Sequence, residues 1–372
     1  MSDCIIGSMD CSFIGKSGKK TFGIDWFYNG SASRAEKGLE ISVIAVIDVE
    51  AHQGYSLSVQ QTPAQLSNAQ AQPNAKGQSA QPPTRIAQTA IEQARTMLQQ
   101  LPERPSAAAM PESVELTRID HYLEQLKQTV ADLPTRVQYL AVDGFYSKQK
   151  FVDGVLALDL HLIGKLRQDA NLRYLYKGAQ KHRGAKRKYD GKVDLADLSR
   201  WTHVRQIEPE LNLYTVVVWH VTLKRQVRIA GLVDTRKPGK TGYVLLFSSD
   251  VNLEAELILK YYKARFQIEF IFRDAKQFTG LCDGQTRDAK RLDFHFNASL
   301  TALNLAKYEV QSRHSQSDKP SQPMPFSMSS YKRLAFNDHL LSRFISMLDL
   351  NPTLIKSHPN YENLRTYGLI AP

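Results

Sequence analysis

Cysteine is scarce in this sequence: three in 372 residues, Cys4, Cys11 and Cys282, no two of them at the spacing of a metal-binding pair. That argues against a zinc module and a disulfide framework, and it fits a reducing compartment. Long apolar runs are missing too. None reaches the roughly 18 residues that cross a bilayer, and the N-terminus lacks the basic-then-apolar order of an export signal, so a cytoplasmic protein with no membrane partner is expected. Acidic charge is in the minority, 37 Asp and Glu against 48 Lys and Arg, for a net charge of +11. Such a balance favours a polyanionic partner over a small metabolite, the alternative being a basic surface kept for solubility. With 42% hydrophobic residues the chain supplies the core of one large domain or two ordinary ones.

Along the chain, Cys4 to Phe13 and Gly38 to Val49 read as strands, rich in Ile and Val, and Tyr55 to Gln61 is a candidate third. Residues 62–83 form a Gln, Ala, Pro and Ser tract with almost nothing to bury, the composition of a flexible surface loop. Helical periodicity is expected over Arg85 to Leu101 and Ser113 to Leu133. The short apolar run Val137 to Val142 ends at Asp143, a helix is expected to Leu158, and another short run spans Leu160 to Leu166. Strands alternating with helices in this way indicate an α/β domain with a mixed sheet.

From Arg167 to about Asp250 the pattern turns all-β, with strands expected at Trp201 to Ile207, Leu213 to Thr222, Val227 to Val233 and Tyr243 to Ser248. This stretch opens with ten Lys or Arg against two Asp between Lys165 and Lys192, interleaved with Tyr174, Tyr176 and Tyr189. A solvated loop is the plain reading. Phosphate contact through Lys181, Arg183, Lys186, Arg187 and Lys188 is the functional one. Leu253 to about Phe278 and Arg287 to Gln311 read as long helices, Ser315 to Pro325 as a polar loop, and the remaining tail is mixed.

The helix from Leu253 carries the strongest chemical signal. At about 100° per residue, Tyr262, Arg265, Glu269 and Lys276 fall within an arc of about 60°. Beside them Tyr261, Ala264, Ile268, Ile271, Phe272 and Ala275 make an apolar stripe that would seat the helix on a sheet. A carboxylate held on a rigid element among two cations and a phenol suits a site gripping a metal and phosphates together. The alternative is an amphipathic helix whose polar face bridges to itself, Arg265 and Glu269 being four apart. A single carboxylate is a poor site for a divalent ion, so partners are needed. Asp143 ends a strand, and Asp10 lies within the first one; with Glu269 they could converge into a two-metal site. For Asp143 the rival role is a helix cap. For the first position the rivals are Asp25 and Asp48, of which Asp48 sits where a hairpin turn commonly places an Asp.

The spacing Y-x2-R-x3-E-x6-K in YKARFQIEFIFRDAK, with DCSFIGKSGK at Asp10 and YLAVDGFYSK at Asp143, resembles the DDE transposases of bacterial insertion sequences, of the insertion-sequence-four type. The block GLCDGQTRDAKRLDFHFNASLTALNLAK is similar to the helices that close their catalytic domain, and the resemblance covers about residues 5–310. It implies an RNase H-like mixed sheet flanked by helices and interrupted by an all-β insertion: residues 1–166 as the first part of the core, 167–250 as the insertion, and 251–312 as the second part. The tail 313–372 is left for dimerisation or DNA contacts. Asp10, Asp143 and Glu269 would be catalytic and bind two Mg²⁺ or Mn²⁺ ions, and Tyr262, Arg265 and Lys276 would contact DNA near the element's end. The implied chemistry is metal-dependent cleavage at element ends, then attack of the freed 3′-hydroxyl on target DNA. The implied partner is double-stranded DNA, bound by a homodimer in the bacterial cytoplasm at the nucleoid.

In related enzymes an aromatic residue of the insertion holds a displaced base, which makes Trp201 and Trp219 candidates, although a Trp in a strand is commonly core. Family members usually also carry an N-terminal region that recognises the terminal repeats. Here the first catalytic strand begins almost at Met1, so that region is expected to be absent. The competing reading is a DNA-binding remnant or transposition inhibitor that does not cut; a general RNase H-like nuclease is the third.

Overall fold

A strand covered on both faces must be apolar at nearly every position. Residues 38–49 are apolar but for Glu40, Ser42 and Asp48, and every one of them is buried. They form a strand paired on both sides near one end of the sheet in the computed structural model, which describes residues 4–18, 20–64, 116–315 and 326–369. The chain divides into two compact units, residues 1–64 with 119–372 and residues 65–118; all but three residues of the second lie outside the described ones, so the fold below is that of the first. Most of the tract 62–83, the helix expected at Arg85 to Leu101, the first residues of the one expected from Ser113, and the loop 316–325 also lie outside them.

The first strand, β1 (Ile5–Gly15), pairs antiparallel with β3 (Arg34–Asp48) from Ile5↔Asp48 to Gly15↔Gly38. On the far side of β3 run β2 (Asp25–Asn29) and β4 (Gln53–Gln61), both antiparallel to it. On the other side of β1 comes β5 (Tyr139–Val142), parallel, followed by β6 (His161–Leu166), parallel again. The order β4-β3-β1-β5-β6, with β3 alone reversed, is compatible with an RNase H-like core. Helices α1 (Arg118–Thr129) and α2 (Gln149–Leu156) supply two of the crossovers that parallel pairing requires.

The all-β stretch folds into strands, as its pattern indicates, and joins the same sheet. Its last strand, β12 (Lys240–Ser248), pairs antiparallel with β6. Beyond it lie β11 (Arg225–Lys237), β10 (Leu211–His220), β7 (Leu172–Leu175) and β8 (Tyr189–Lys192), with β9 (Thr202–Glu208) on the free length of β10. Pairing satisfies the backbone edge that β6 would otherwise expose. Strands β2, β7 and β8 were not expected from sequence. Each has four or five residues and holds its place through pairing, β2 with β3, β7 with β10 and β8 with β7.

After β12 come α3 (Ala255–Ala264), α4 (Gln267–Phe278) and α5 (Ala289–Ser315). The single helix expected over Leu253 to Phe278 is two. Arg265 and Phe266 keep right-handed dihedrals, but the bonds Phe266 N to Lys263 O, Ile268 N to Arg265 O and Glu269 N to Phe266 O step by three residues. Tightening of this kind overwinds the chain for one turn. Helix α4 buries Ile268, Ile271, Phe272 and Ala275, a spacing of one helical face, against Val43, Ala45 and Val59 of the sheet. Burial of each large side chain contributes about 1.5–3 kcal/mol as an upper estimate, so the helix is firmly seated. Gly54 of β4 makes this close packing feasible: a Cβ there would stand 3.1 Å from Ile271 Cδ1 and 3.3 Å from Gln267 Cβ.

The tail, mixed by sequence pattern, is helical: α6 (Met328–Met347), α7 (Pro352–Lys356) and α8 (Pro359–Arg365). Each has a side-chain cap, from Ser327, Asn351 and His358, and the last two carry Pro in the first turn.

Candidate active site

Side chains alternate across a strand. In β1 this sends Asp10 toward α3 and α4, and Cys11 to the opposite face, toward α1. The last register pair of β1 and β5 is Met9↔Val142. Asp10 and Asp143 are the next residues on each, so two carboxylates leave adjacent parallel strands at one level, about one strand spacing of 4.8 Å apart.

Each Asp is fixed by backbone. Asp10 Oδ1 accepts from the N–H of Cys11 at 2.8 Å, and Asp143 Oδ1 accepts from that of Phe145 at 2.8 Å, capping the 3-10 turn Gly144–Tyr146. The cap weighed for Asp143 from sequence is therefore real, and it orients the carboxylate without burying it completely. Burial and the charge of Asp143 push the Asp10 carboxyl up to about 7, Arg265 and the Cys11 N–H opposing and Glu269 adding to the rise. Asp143 is raised as well, by burial, against the pull of the Phe145 N–H, Arg265 and the Tyr146 N–H. Two desolvated carboxylates this close hold more negative charge than their surroundings neutralise.

Glu269 reaches them through Arg265. The Arg265 guanidinium donates from Nη1 to Asp10 Oδ2 at 3.1 Å and from Nη2 to Glu269 Oε1 at 3.0 Å. Its Nε is buried with no hydrogen-bond partner among the described residues. Burial lowers and Asp10, Tyr262 and Glu269 raise its affinity for protons, with a net rise, so it is a permanent cation here. The tightened turn at Arg265 and Phe266 bends the stripe where the guanidinium enters the site. Tyr262 lies with its ring 5.5 Å from that guanidinium; burial raises its hydroxyl, Arg265 opposing and Asp143 adding.

Lys276, the fourth member of the stripe, donates to the carbonyl of Phe13 at 2.9 Å, and burial lowers its pKa. It ties α4 to β1. A second tie was not visible in sequence: Lys16 donates to the carbonyls of Cys282, at 3.2 Å, and Gly284. Nothing in the spacing of either residue marks it as a clamp.

Lys181, Arg183, Lys186, Arg187 and Lys188 are all exposed, on the loop between β7 and β8. Arg187 is the least free of them: its guanidinium lies 4.6 Å over Tyr176 and pairs with Asp190 at 2.5 Å. With Arg173, Lys188 and Lys192 it lines a cavity of about 620 Å³. Trp201 is buried, its ring lying where a Cβ on Gly231 would fall, which makes it core. Trp219 is half-buried, 5.9 Å from Tyr189.

Over residues 107–305, more than half its length, the chain matches the model of a family described as Transposase DDE domain. It belongs to that family. No curated protein matches the chain. The transposase match takes in Asp143 and Glu269 and leaves Asp10 outside, so the first carboxylate rests on the register of β1 against β5. DDE transposases in general use divalent metals. Among the described residues no three His, Cys, Asp or Glu side chains are gathered for a metal, and Arg265 bridges Asp10 and Glu269. The donor set nevertheless suits one: hard carboxylate oxygens, two of them in a pair short of positive charge. No described helix is long and apolar enough to cross a membrane.

Proposed function

We propose that this chain cleaves DNA at the ends of a mobile element and joins the freed 3′ ends to target DNA, with Asp10, Asp143 and Glu269 as its catalytic carboxylates. The observation that carries the reading is the pair Asp10 and Asp143 at one level of adjacent parallel strands, joined to Glu269 through Arg265. Asp10 and Asp143 would hold Mg²⁺ or Mn²⁺, with Glu269 completing a second ion. Bound there, such ions supply an activated oxygen nucleophile and charge for the leaving oxygen.

The chain's own residues do the rest. Backbone N–H groups of Cys11 and Phe145 fix one oxygen of each Asp. Arg265 neutralises Asp10 and Glu269, and in exchange for them it would take a phosphate as bidentate partner. Tyr262 flanks that phosphate, and Lys276 holds the Glu269 helix against β1. The exposed cations Lys181, Arg183, Lys186, Arg187 and Lys188 add backbone contacts that position duplex DNA without reading its sequence. Pairing two element ends calls for two copies, with the tail 313–372 available for that contact.

The test is cleavage of linear DNA carrying the element's ends, with Mg²⁺ or Mn²⁺, by the wild type and by Glu269→Gln. Cleavage by the wild type alone is expected. Equal cleavage by both counts against Glu269. DNA binding with cleavage by neither would instead favour a transposition inhibitor.

A further inference from the structure

Between β1 and β5 the backbone ladder stops at Met9↔Val142, one residue before the carboxylates. Past that point the two Asp-bearing segments have no mutual backbone pairing, yet the spacing of Asp10 and Asp143 depends on them. On the other face of the sheet a chain of side-chain contacts takes over. Cys11 Sγ lies 3.1 Å from the hydroxyl of Tyr146, and Tyr146 belongs to the 3-10 turn that Asp143 caps. The Tyr122 ring packs against that of Tyr146, centroids 5.5 Å apart, and its hydroxyl donates to Glu40 Oε1 at 2.7 Å. Glu40 is on β3, opposite Phe13 of β1. Tyr122 and Tyr146 are each 1% exposed, so this linkage is shielded from competing water.

We infer that Cys11, Tyr146, Tyr122 and Glu40 form a positioning network that sets the separation of Asp10 and Asp143 from behind the sheet. It rests on the reading that these two carboxylates hold divalent metal. Cys11 follows Asp10, and Tyr146 is three residues after Asp143, so a shift of the Cys11–Tyr146 pair is passed directly to both carboxylates. These four groups lie on the face of the sheet opposite Asp10. Groups that orient metal ligands from outside commonly change metal affinity or activity 10- to 100-fold when removed.

The full chain is titrated with Mn²⁺, bound metal being read by electron paramagnetic resonance, beside thermal unfolding. Tyr146→Phe removes one oxygen and keeps the ring. It should weaken Mn²⁺ binding about tenfold and lower the cleavage turnover with the KM for DNA unchanged. Cys11→Ala should do the same, Cys11→Ser should restore most of the affinity, and the Cys11→Ala, Tyr146→Phe double variant should be no worse than either alone. Wild-type Mn²⁺ affinity in Tyr146→Phe, with or without a lower unfolding temperature, would overturn the inference. Asp10→Asn and Asp143→Asn separate the two levels of the argument. If they fail to reduce Mn²⁺ binding, the metal reading falls and the network's role with it; if they abolish it while Tyr146→Phe does not weaken it, the network's role alone falls.

Discussion

Arg265 donates to Asp10 at 3.1 Å on the side of the carboxylate that faces Glu269. A divalent ion shared by Asp10 and Glu269 must compete with this internal cation, and a DNA phosphate offers the guanidinium another bidentate partner. Metal and DNA binding should therefore help each other. Arg265→Gln is expected to bind Mn²⁺ about tenfold more tightly than the wild type without DNA, a difference of about 1.4 kcal/mol. Duplex DNA should raise Mn²⁺ affinity in the wild type and much less in the variant. Calorimetric titration that finds the variant binding Mn²⁺ no more tightly would remove Arg265 as the ion's competitor.

Asp10 and Asp143 destabilise the fold that holds them, since burial acts on both and the charge of Asp143 acts on Asp10. Asp10→Asn keeps the shape and removes one charge, at the cost of the pair with Arg265. In chelator the variant should unfold a few degrees above the wild type, a gain of about 1–2 kcal/mol, while its DNA cleavage is lost. A variant that melts lower than the wild type would mean that the Arg265 pair outweighs the repulsion.

Much of this arrangement was legible before the structure. The apolar runs of β1 and β3 and the Ile268, Ile271, Phe272, Ala275 face of α4 declare themselves because burial on a fixed period leaves a compositional trace. Strands β7 and β8 leave none: Leu172–Leu175 alternates with charge, Tyr189–Lys192 contains Gly and Asp, and both are strands because β10 and its neighbours supply hydrogen bonds. The turn at Arg265 and Phe266 contains neither Pro nor Gly, so nothing local announces it. The place of Lys276 on the stripe is plain in the sequence, but its reach to the Phe13 carbonyl depends on how α4 docks on β1.

His220 gives the fold a pH dependence away from the carboxylates. Its Nδ1 accepts from the N–H of Leu223 at 3.2 Å, which requires that nitrogen to be unprotonated, and burial holds its pKa down to about 4 from an ordinary 6.5. A depressed folded-state value means stability that is complete above pH 6.5 and is lost as pH falls toward 4. Urea unfolding of the wild type and His220→Asn, whose amide oxygen can accept the same bond, should converge as pH drops from 7 to 4.5. The expected change in their difference is up to about 3 kcal/mol. A difference that stays constant over this range would show that His220 does not titrate with unfolding.

Gly54 sets how closely α4 approaches the sheet, and with it where Glu269 stands relative to Asp10. An added Cβ would lie 3.1 Å from Ile271 and 3.3 Å from Gln267, so Gly54→Ala needs a shift of a few tenths of an ångström. Gly54→Val needs more, from a helix tied to β1 by Lys276 and from a strand whose Gly54 carbonyl accepts the buried Lys307 ammonium at 2.6 Å. Overpacking of this kind costs about 1–3 kcal/mol. Gly54→Val should therefore lower the urea midpoint by that amount, and at temperatures where it is still folded it should cleave DNA more slowly than Gly54→Ala. If Gly54→Val is less stable yet cleaves at the wild-type rate, the seat of α4 does not govern the position of Glu269.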